Sequence, residues 1–256
     1  MSIITLTTDF GDVYPAIMKG VILSIHPGAK LVDISHSVRP GDVRGGAFIL
    51  RFASGHFSPG SVHLAVVDPG VGGRRRAIVI KGEKYSFVGP DNGLLMPAAR
   101  AQGAYRVYEI SDLSFYASKV SPVFHGRDVF APAAAFLSKG QEMPCLREIT
   151  DPVDLDFGVP ELKDDRVVGK VIYVDGFGNV ITNIGGEALS GLLHLGMAPK
   201  VNGVEMPFVR TYCDAPRRTL VLLVGSHGMA EIACNGDSAS TLMGLGAGDR
   251  VTISFQ

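Results

Sequence analysis

The chain has 256 residues, 46% of them hydrophobic and 19% charged, with 24 basic against 25 acidic side chains and a formal net charge of −1. That is globular composition, and the length suffices for one large or two modest hydrophobic cores. So even a charge balance excludes the electrostatic footprint of a protein that binds nucleic acid or an acidic membrane surface, and the expected partner is a small molecule.

In chain order, Ser2 to Thr8 is apolar and rich in β-branched residues and predicts a first strand, ending at Asp9-Phe10-Gly11-Asp12. A helix follows over Pro15 to His26, with Ile17, Met18, Val21, Ile22 and Ile25 on one face. Lys30 to Ile34 reads as a second strand, Asp42 to Phe52 as an apolar helix, Val62 to Val67 as a third strand, and Ala77 to Ile80 as a fourth. Strands alternating with helices favour a mostly parallel sheet flanked by helices, an α/β arrangement. Ala131 to Leu137 reads as a helix of small residues.

The segment Asp151 to Pro160 is rich in Pro and Asp, has no periodicity, and suits a linker. The predicted division is an N-terminal α/β domain over 1–160 and a smaller C-terminal domain over 161–256. Beyond the linker come short strand-like runs at Gly169–Val174, Val180–Ile184, Thr219–Val224, Met229–Cys234 and Arg250–Phe255, separated by Gly, Asn and Asp turns. They predict an antiparallel β domain, a β-barrel. The three cysteines, Cys145, Cys213 and Cys234, are odd in number, far apart and without a CxxC pair, which argues against a disulfide framework or a thiolate zinc site and fits a reducing cytoplasm. Neither a basic n-region followed by an apolar core nor about 18 uninterrupted apolar residues occurs, so no targeting signal or membrane span is expected.

The densest chemistry lies in Asp68-Pro69-Gly70-Val71-Gly72-Gly73-Arg74-Arg75-Arg76, a carboxylate, a glycine turn and three guanidiniums at the end of a predicted strand. Strand ends are where α/β sheets place ligands. Side chains in extended chain alternate between faces, so the three arginines cannot all point one way. The loop matches neither GxGxxG nor GxxxxGK, which weakens a nucleotide-phosphate reading. Asp9, at another strand end, is placed to grip paired ribose hydroxyls, or to serve only as an Asx turn or helix cap. Asp91 and Asn92, in Pro90-Asp91-Asn92-Gly93, read as turn residues. His125, beside Gly126, stands where a ring can approach a ligand closely, while Arg127 and Asp128 read as pairing or capping at a helix start. In the second half, Asp175-Gly176-Phe177-Gly178-Asn179, Gly225-Ser226-His227-Gly228 and Glu231 to Gly236 are polar, turn-rich and flanked by strands; none is specific alone.

Together, Thr7-Thr8-Asp9-Phe10-Gly11, Asp68-Pro69-Gly70-Val71-Gly72, Gly89-Pro90-Asp91-Asn92-Gly93, Phe124-His125-Gly126-Arg127-Asp128, Asp175-Gly176-Phe177-Gly178-Asn179 and Gly225-Ser226-His227-Gly228 resemble the S-adenosyl-L-methionine (SAM) hydroxide adenosyltransferase family. These are adenosine-forming SAM hydrolases related to fluorinase and chlorinase, and the resemblance runs in order along nearly the whole chain. It implies an α/β N-domain, a C-terminal β-barrel, and a homotrimer with sites between the N-domain of one subunit and the C-domain of its neighbour. It further implies that Asp68, Arg75 and His125 handle the attacking water and that Asp9 binds the ribose diol. Asp175 would hold the methionine ammonium and Asn179 the adenine edge. Ser226 would contact the methionine end, Glu231 and the backbone around Cys234 would enclose the adenosine, and Phe124 and Phe177 would pack the purine and ribose. No metal and no cofactor is implied; SAM is the substrate and adenosine a product.

Two departures stand out. The loop from Asp9 to Lys19 is about two residues shorter than is usual in the family, and His227 stands where the halogenases carry an arginine. The halogenases also carry tyrosines where this chain has Asp68 and His125. A carboxylate beside a halide in a dry pocket is two anions in repulsion, so Asp68 favours water or hydroxide as nucleophile. The rival readings are a chlorinase-like halide transferase, a nonenzymatic SAM or adenosine sensor, and a metal-dependent hydrolase built on Asp9, Asp12 and Asp68, which the absence of HExxH disfavours.

Overall fold

The structure, a computed structural model, describes residues 2–113 and 119–255. It divides into two compact units, Met1–Asp156 and Phe157–Gln256.

The first unit is built on strands β1 (Ile3–Thr8), β2 (Lys30–Ser35), β3 (Val62–Val66), β4 (Ala77–Gly82), β5 (Ser86–Pro90), β6 (Tyr105–Ile110) and β7 (Leu146–Ile149), in sheet order β2-β1-β3-β5-β4-β6-β7. The expected α/β architecture with parallel strands holds from β2 to β5, where helices α1 (Val13–Ile25) and α2 (Val43–Ser54) connect them. The sheet then turns mixed: β4, β6 and β7 pair antiparallel. Strands β6 and β7 were not expected, because polar residues interrupt them and most of their residues are at least partly exposed. α2 starts where Asp42 accepts the Gly45 amide at 2.8 Å, an N-cap bond worth about 1 kcal/mol. Every residue of β3 is buried, with Leu64 and Val66 packed against Ile4, Leu6, Met18 and Ile22. Truncating Leu64 to Ala would cost about 2 to 5 kcal/mol, enough to endanger the unit. The small-residue helix appears as α4 (Ala131–Ser138), preceded by one π-helical turn over Gly126–Phe130; α3 is a short Met96–Arg100 segment.

The second unit is an antiparallel sheet in the order β12-β11-β15-β9-β10-β14-β13, with β8 pairing β9. Its strands are β8 (Glu161–Lys163), β9 (Arg166–Val174), β10 (Val180–Gly185), β11 (Lys200–Val201), β12 (Val204–Glu205), β13 (Leu220–Val224), β14 (Met229–Cys234) and β15 (Arg250–Ser254), with helices α5 (Gly186–Ser190) and α6 (Ala239–Met243). The sheet curls over Val167, Val171, Ile184, Ile232 and Ile253 as a half-barrel. The β9–β10 and β13–β14 connections are tight hairpins, so Asp175–Asn179 and Gly225–Gly228 become turns of fixed geometry. Among the described residues, no helix is long and apolar enough to cross a membrane.

Candidate active site

Parallel strands place the first cluster. β1 delivers Asp9 and β3 delivers Asp68 just past their C-terminal ends, the edge where α/β sheets bind ligands. After Asp68 the backbone folds into two successive turns, Val71 N donating to Asp68 O at 3.3 Å and Gly73 N to Gly70 O at 3.0 Å. Gly72 has φ +75°, and a Cβ there would lie 2.2 Å from the Pro122 carbonyl oxygen, so a glycine is required where this loop meets the chain before His125.

The turns fold Arg75 back onto Asp68. Its Nε donates to Oδ1 at 3.1 Å and Oδ2 at 3.0 Å, and its Nη2 to Oδ2 at 2.5 Å. The same Nη2 donates to His125 Nδ1 at 2.8 Å, and the guanidinium lies 5.2 Å from the Phe130 ring centre. A guanidinium cannot accept, so Nδ1 is the accepting nitrogen and the neutral ring carries its proton on Nε2. Burial first, and then the Arg75 charge, push the His125 pKa below the ordinary 6.5, outweighing the opposite pull of Asp68 and Asp128. The Asp68 and Arg75 side chains are 3% and 10% exposed, so the pair is shielded and strong, and removing Arg75 alone would strand a buried carboxylate at a cost of about 3 to 5 kcal/mol.

His125 is set by the π-helical turn that follows it, a feature enriched at functional sites. A cavity of about 460 Å³ opens beside the cluster, lined by Asp68, His125, Arg127 and an aromatic wall of Phe10, Tyr14 and Phe124. Phe124 meets Phe10 and Tyr14 edge-on, with ring centres 6.2 and 5.3 Å apart. The neighbouring charges are structural. Arg76 pairs with Asp91 at 2.7 Å and Asp151 at 2.8 Å, and Arg127 binds Asp128, which also accepts the Ser121 amide at 2.8 Å. Asn92 donates to Val67 O at 2.8 Å, holding the end of β3 beside the site.

The second unit has its own cavity of about 640 Å³, lined by Asp175, Phe177, Asn179, Tyr212, Cys234 and Asp237 among others. The β9–β10 turn fixes Asp175: Oδ1 accepts the amides of Phe177 and Asn179, each at 2.9 Å, and Oδ2 accepts the Asn179 side chain at 3.0 Å. Gly178, at φ +82°, packs against Ser238, whose Oγ lies 2.1 Å from where a Cβ would be. Phe177 projects from the turn 83% exposed. Tyr212 donates to buried Glu231 at 2.7 Å, and His227 Nε2 lies 3.0 Å from the other Glu231 oxygen. His227 Nδ1 accepts the Met229 amide at 3.2 Å, so Nε2 is the donor to Glu231. Burial, helped by the Glu231 bond, raises the Tyr212 pKa and keeps the phenol protonated.

Residues 4–147 match the SAM hydroxide adenosyltransferase N-terminal domain, and residues 169–252 match the SAM hydroxide adenosyltransferase C-terminal domain. The chain belongs to this family. It is 39% identical to the (R)-S-adenosyl-L-methionine hydrolase of Salinispora tropica, covering 98% of this chain and 97% of that protein, and 36% identical to the one of Methanocaldococcus jannaschii, covering 100% and 97%. Fluorinases match more distantly, at 29% identity for that of Nocardia brasiliensis, covering 98% of this chain and 96% of that one. Among solved structures, an uncharacterized conserved protein from Thermotoga maritima superposes with a TM-score of 0.91 at 35% identity, covering 98% and 99%.

Within this family member, the geometry joins Asp68, Arg75 and His125 in one hydrogen-bonded cluster with Phe124 on the cavity wall beside it. Asp9 lies outside that lining; its Oδ2 accepts the Gly41 amide at 2.8 Å, and a Cβ on Gly41 would stand 3.9 Å from Pro69, beside the Asp68 loop. Asp175, Phe177, Asn179 and Cys234 share the second cavity. Glu231 is behind that wall, reached through Tyr212, and Ser226 is exposed on the turn at the far end of β14 from Cys234. Sequence reasoning missed Tyr212, which sits in an irregular loop with no pattern to mark it, and Tyr14, where Pro15 advertised only a helix start. Among the described residues, no three His, Cys, Asp or Glu side chains are grouped to hold a metal ion.

Proposed function

We propose that the protein hydrolyses SAM to adenosine and L-methionine. The C5′–S bond breaks with its electron pair going to sulfur, an oxygen from water forms the new bond to C5′, and one proton is released. Relatives carrying the name (R)-S-adenosyl-L-methionine hydrolase support this, matching over nearly the whole chain. The observation that carries it is the Asp68–Arg75–His125 cluster at a strand end beside an aromatic-walled cavity.

SAM brings a neutral thioether leaving group on a cationic sulfonium, so the protein's work is to position and desolvate a nucleophile. Arg75 stabilises hydroxide character on the water. His125, whose Nδ1 is occupied by Arg75, offers Nε2–H to the water oxygen, leaving Asp68 as the group that takes the proton. A halide would have to sit beside the Asp68 carboxylate, which disfavours halogenase chemistry. No metal or cofactor enters this reaction, and a chelator should leave the rate unchanged.

Substrate contacts follow the family resemblance, and those of Phe124, Asp175, Phe177, Asn179 and Cys234 also follow the two cavities. Asp9 takes the ribose hydroxyls, Asn179 the adenine edge, and Phe124 and Phe177 pack the purine and ribose. Asp175 already accepts three N–H bonds, and a carboxylate has about four acceptor sites, so a substrate ammonium completes its set. Ser226 contacts the methionine end, and Glu231 with the backbone at Cys234 encloses the adenosine. We place the site between subunits of a homotrimer, N-terminal unit of one against C-terminal unit of the next. Exposed Val13, Tyr14, Val71 and Val123 near the first cavity support this. Three cysteines, odd in number and without a CxxC pair, suit a cytoplasmic protein.

Asp68→Asn and His125→Asn test the roles. Adenosine release at saturating SAM should fall about 10² to 10⁴-fold while SAM still binds by calorimetry. Unchanged turnover with binding intact would remove both residues from the chemistry.

A further inference from the structure

We propose that His36 is a positioning residue for ribose recognition, acting on the Asp9–Gly11 loop through Thr8; this rests on the reading of Asp9 as the ribose ligand. Nothing in the sequence motifs pointed to it. His36 follows β2, whereas Asp9 follows β1, and the two segments are clasped at four points. The His36 carbonyl accepts the Gly11 amide at 3.0 Å, and His36 Nδ1 lies 2.9 Å from Thr8 Oγ1. The Thr8 carbonyl accepts the Val38 amide at 3.4 Å, and Asp9 Oδ2 accepts the Gly41 amide at 2.8 Å.

The polarity of this clasp runs one way. His36 Nε2 lies 2.9 Å from Asp33 Oδ1, off the axis of a hydrogen bond but close enough for the carboxylate to face an Nε2 proton, and Lys19 Nζ binds the other Asp33 oxygen at 2.5 Å. A carboxylate at Nε2 favours the proton there, which leaves Nδ1 to accept the Thr8 hydroxyl. Thr8 Oγ1 in turn accepts the Phe10 amide at 3.4 Å. Phe10 is part of the cavity wall, and Asp9 lies between two anchored residues, Thr8 and Phe10. With Oδ2 tied to Gly41, Asp9 Oδ1 has no partner among the described residues and is the atom presented to a diol. Locking the loop beforehand removes an ordering cost that binding would otherwise carry.

A merely structural role and a positioning role differ in one measurable ratio. Adenosine and 2′,3′-dideoxyadenosine differ only at the hydroxyls Asp9 addresses. Wild-type protein should bind adenosine about 10 to 100-fold more tightly, the scale of hydrogen bonds to a charged group. In Thr8→Val, an isosteric change, and in His36→Ala, that preference should fall to about 3-fold or less with dideoxyadenosine affinity unchanged. The double variant should be no worse than either single one, because both cut the same link. His36→Asn, with an amide oxygen at the Nδ1 position, should restore most of the preference. If both variants keep the wild-type ratio, the inference is wrong; if His36→Ala does not fold, Thr8→Val decides alone. If Asp9→Ala loses the preference while Thr8→Val and His36→Ala keep it, the Asp9 reading survives and His36 has no positioning role. If wild-type protein shows no preference, the Asp9 reading fails and this inference with it.

Discussion

His125 is kept neutral by burial and by the Arg75 charge beside it, and its folded-state pKa lies below 6.5. Protonation would place charge against Arg75 and break the Nη2–Nδ1 bond. The acid limb of kcat/KM should therefore lie below pH 6.5 and vanish in His125→Asn; a limb at or above the ordinary histidine value would contradict the arrangement. His63 titrates low for a different reason. Its ring is fully buried among Phe57, Tyr85 and Phe87, with Nδ1 bonded to Thr5 at 2.7 Å and Nε2 without a partner among the described residues, and burial pushes its pKa down to about 4. The unfolded chain takes up this proton near 6.5 and the folded one near 4, so the stabilisation is complete above pH 6.5 and is lost as pH falls towards 4, by about 3 kcal/mol. Urea unfolding at pH 7 and pH 4.5 should show this loss in wild type and a smaller one in a Thr5→Val/His63→Phe variant, which removes the titrating ring and its partner together. Equal losses would refute the assignment. At this scale the pairing of Asp68 with Arg75, which two successive turns join, lay close to the sequence, and the bonds of His63 and His36 did not, because their partners lie on other strands.

The loop after β3 depends on its glycines more than on its charges. Gly72→Ala would force a positive-φ residue against the Pro122 carbonyl, and Arg75 would lose its register on Asp68. Activity should fall at least about tenfold and Tm should drop as well, since Asp68 is left buried without its full pairing. Near-wild-type activity would mean the loop tolerates a second conformation. The parallel half of the first sheet was legible because β1 and β3 are runs of mostly apolar and β-branched residues, as suits strands buried on both faces. β6 and β7 were not, since a half-exposed strand carries polar residues that read as loop. The π-helical turn before α4 was illegible for another reason: no residue pattern in Gly126–Phe130 marks a wider helical turn, which only the carbonyl partners distinguish from an α-helical one. Asp91 was correctly read as structural, but its partners Arg76 and the Val153 amide are distant in sequence and could not be named from it.

For the molecule as a whole, the Asp68–Arg75–His125 cluster belongs to one unit and the cavity lined by Asp175 and Asn179 to the other, so on the proposed function and trimer, assembly is a condition of activity. Mass photometry should find trimers. Mixing Asp68→Asn with Asp175→Ala subunits under exchange should regain activity, because some sites then combine two intact halves; no recovery after confirmed exchange would place both halves in one chain's site. The sequence could supply the family and the two architectures, because the family rests on motifs spread in order along the chain and the architectures on the pattern of apolar runs. It could not supply Tyr212 or the far placement of Ser226, which depend on how the half-barrel curls.

The decisive measurement is incubation of the purified protein with SAM in ¹⁸O-labelled water, with chloride and chelator as separate variables, and mass spectrometry of the products. Adenosine labelled at the 5′ oxygen together with methionine, in amounts unaffected by chelator or chloride, is the predicted result. SAM that binds and stays intact, or 5′-chloro-5′-deoxyadenosine formed in chloride, would contradict the hydrolase account.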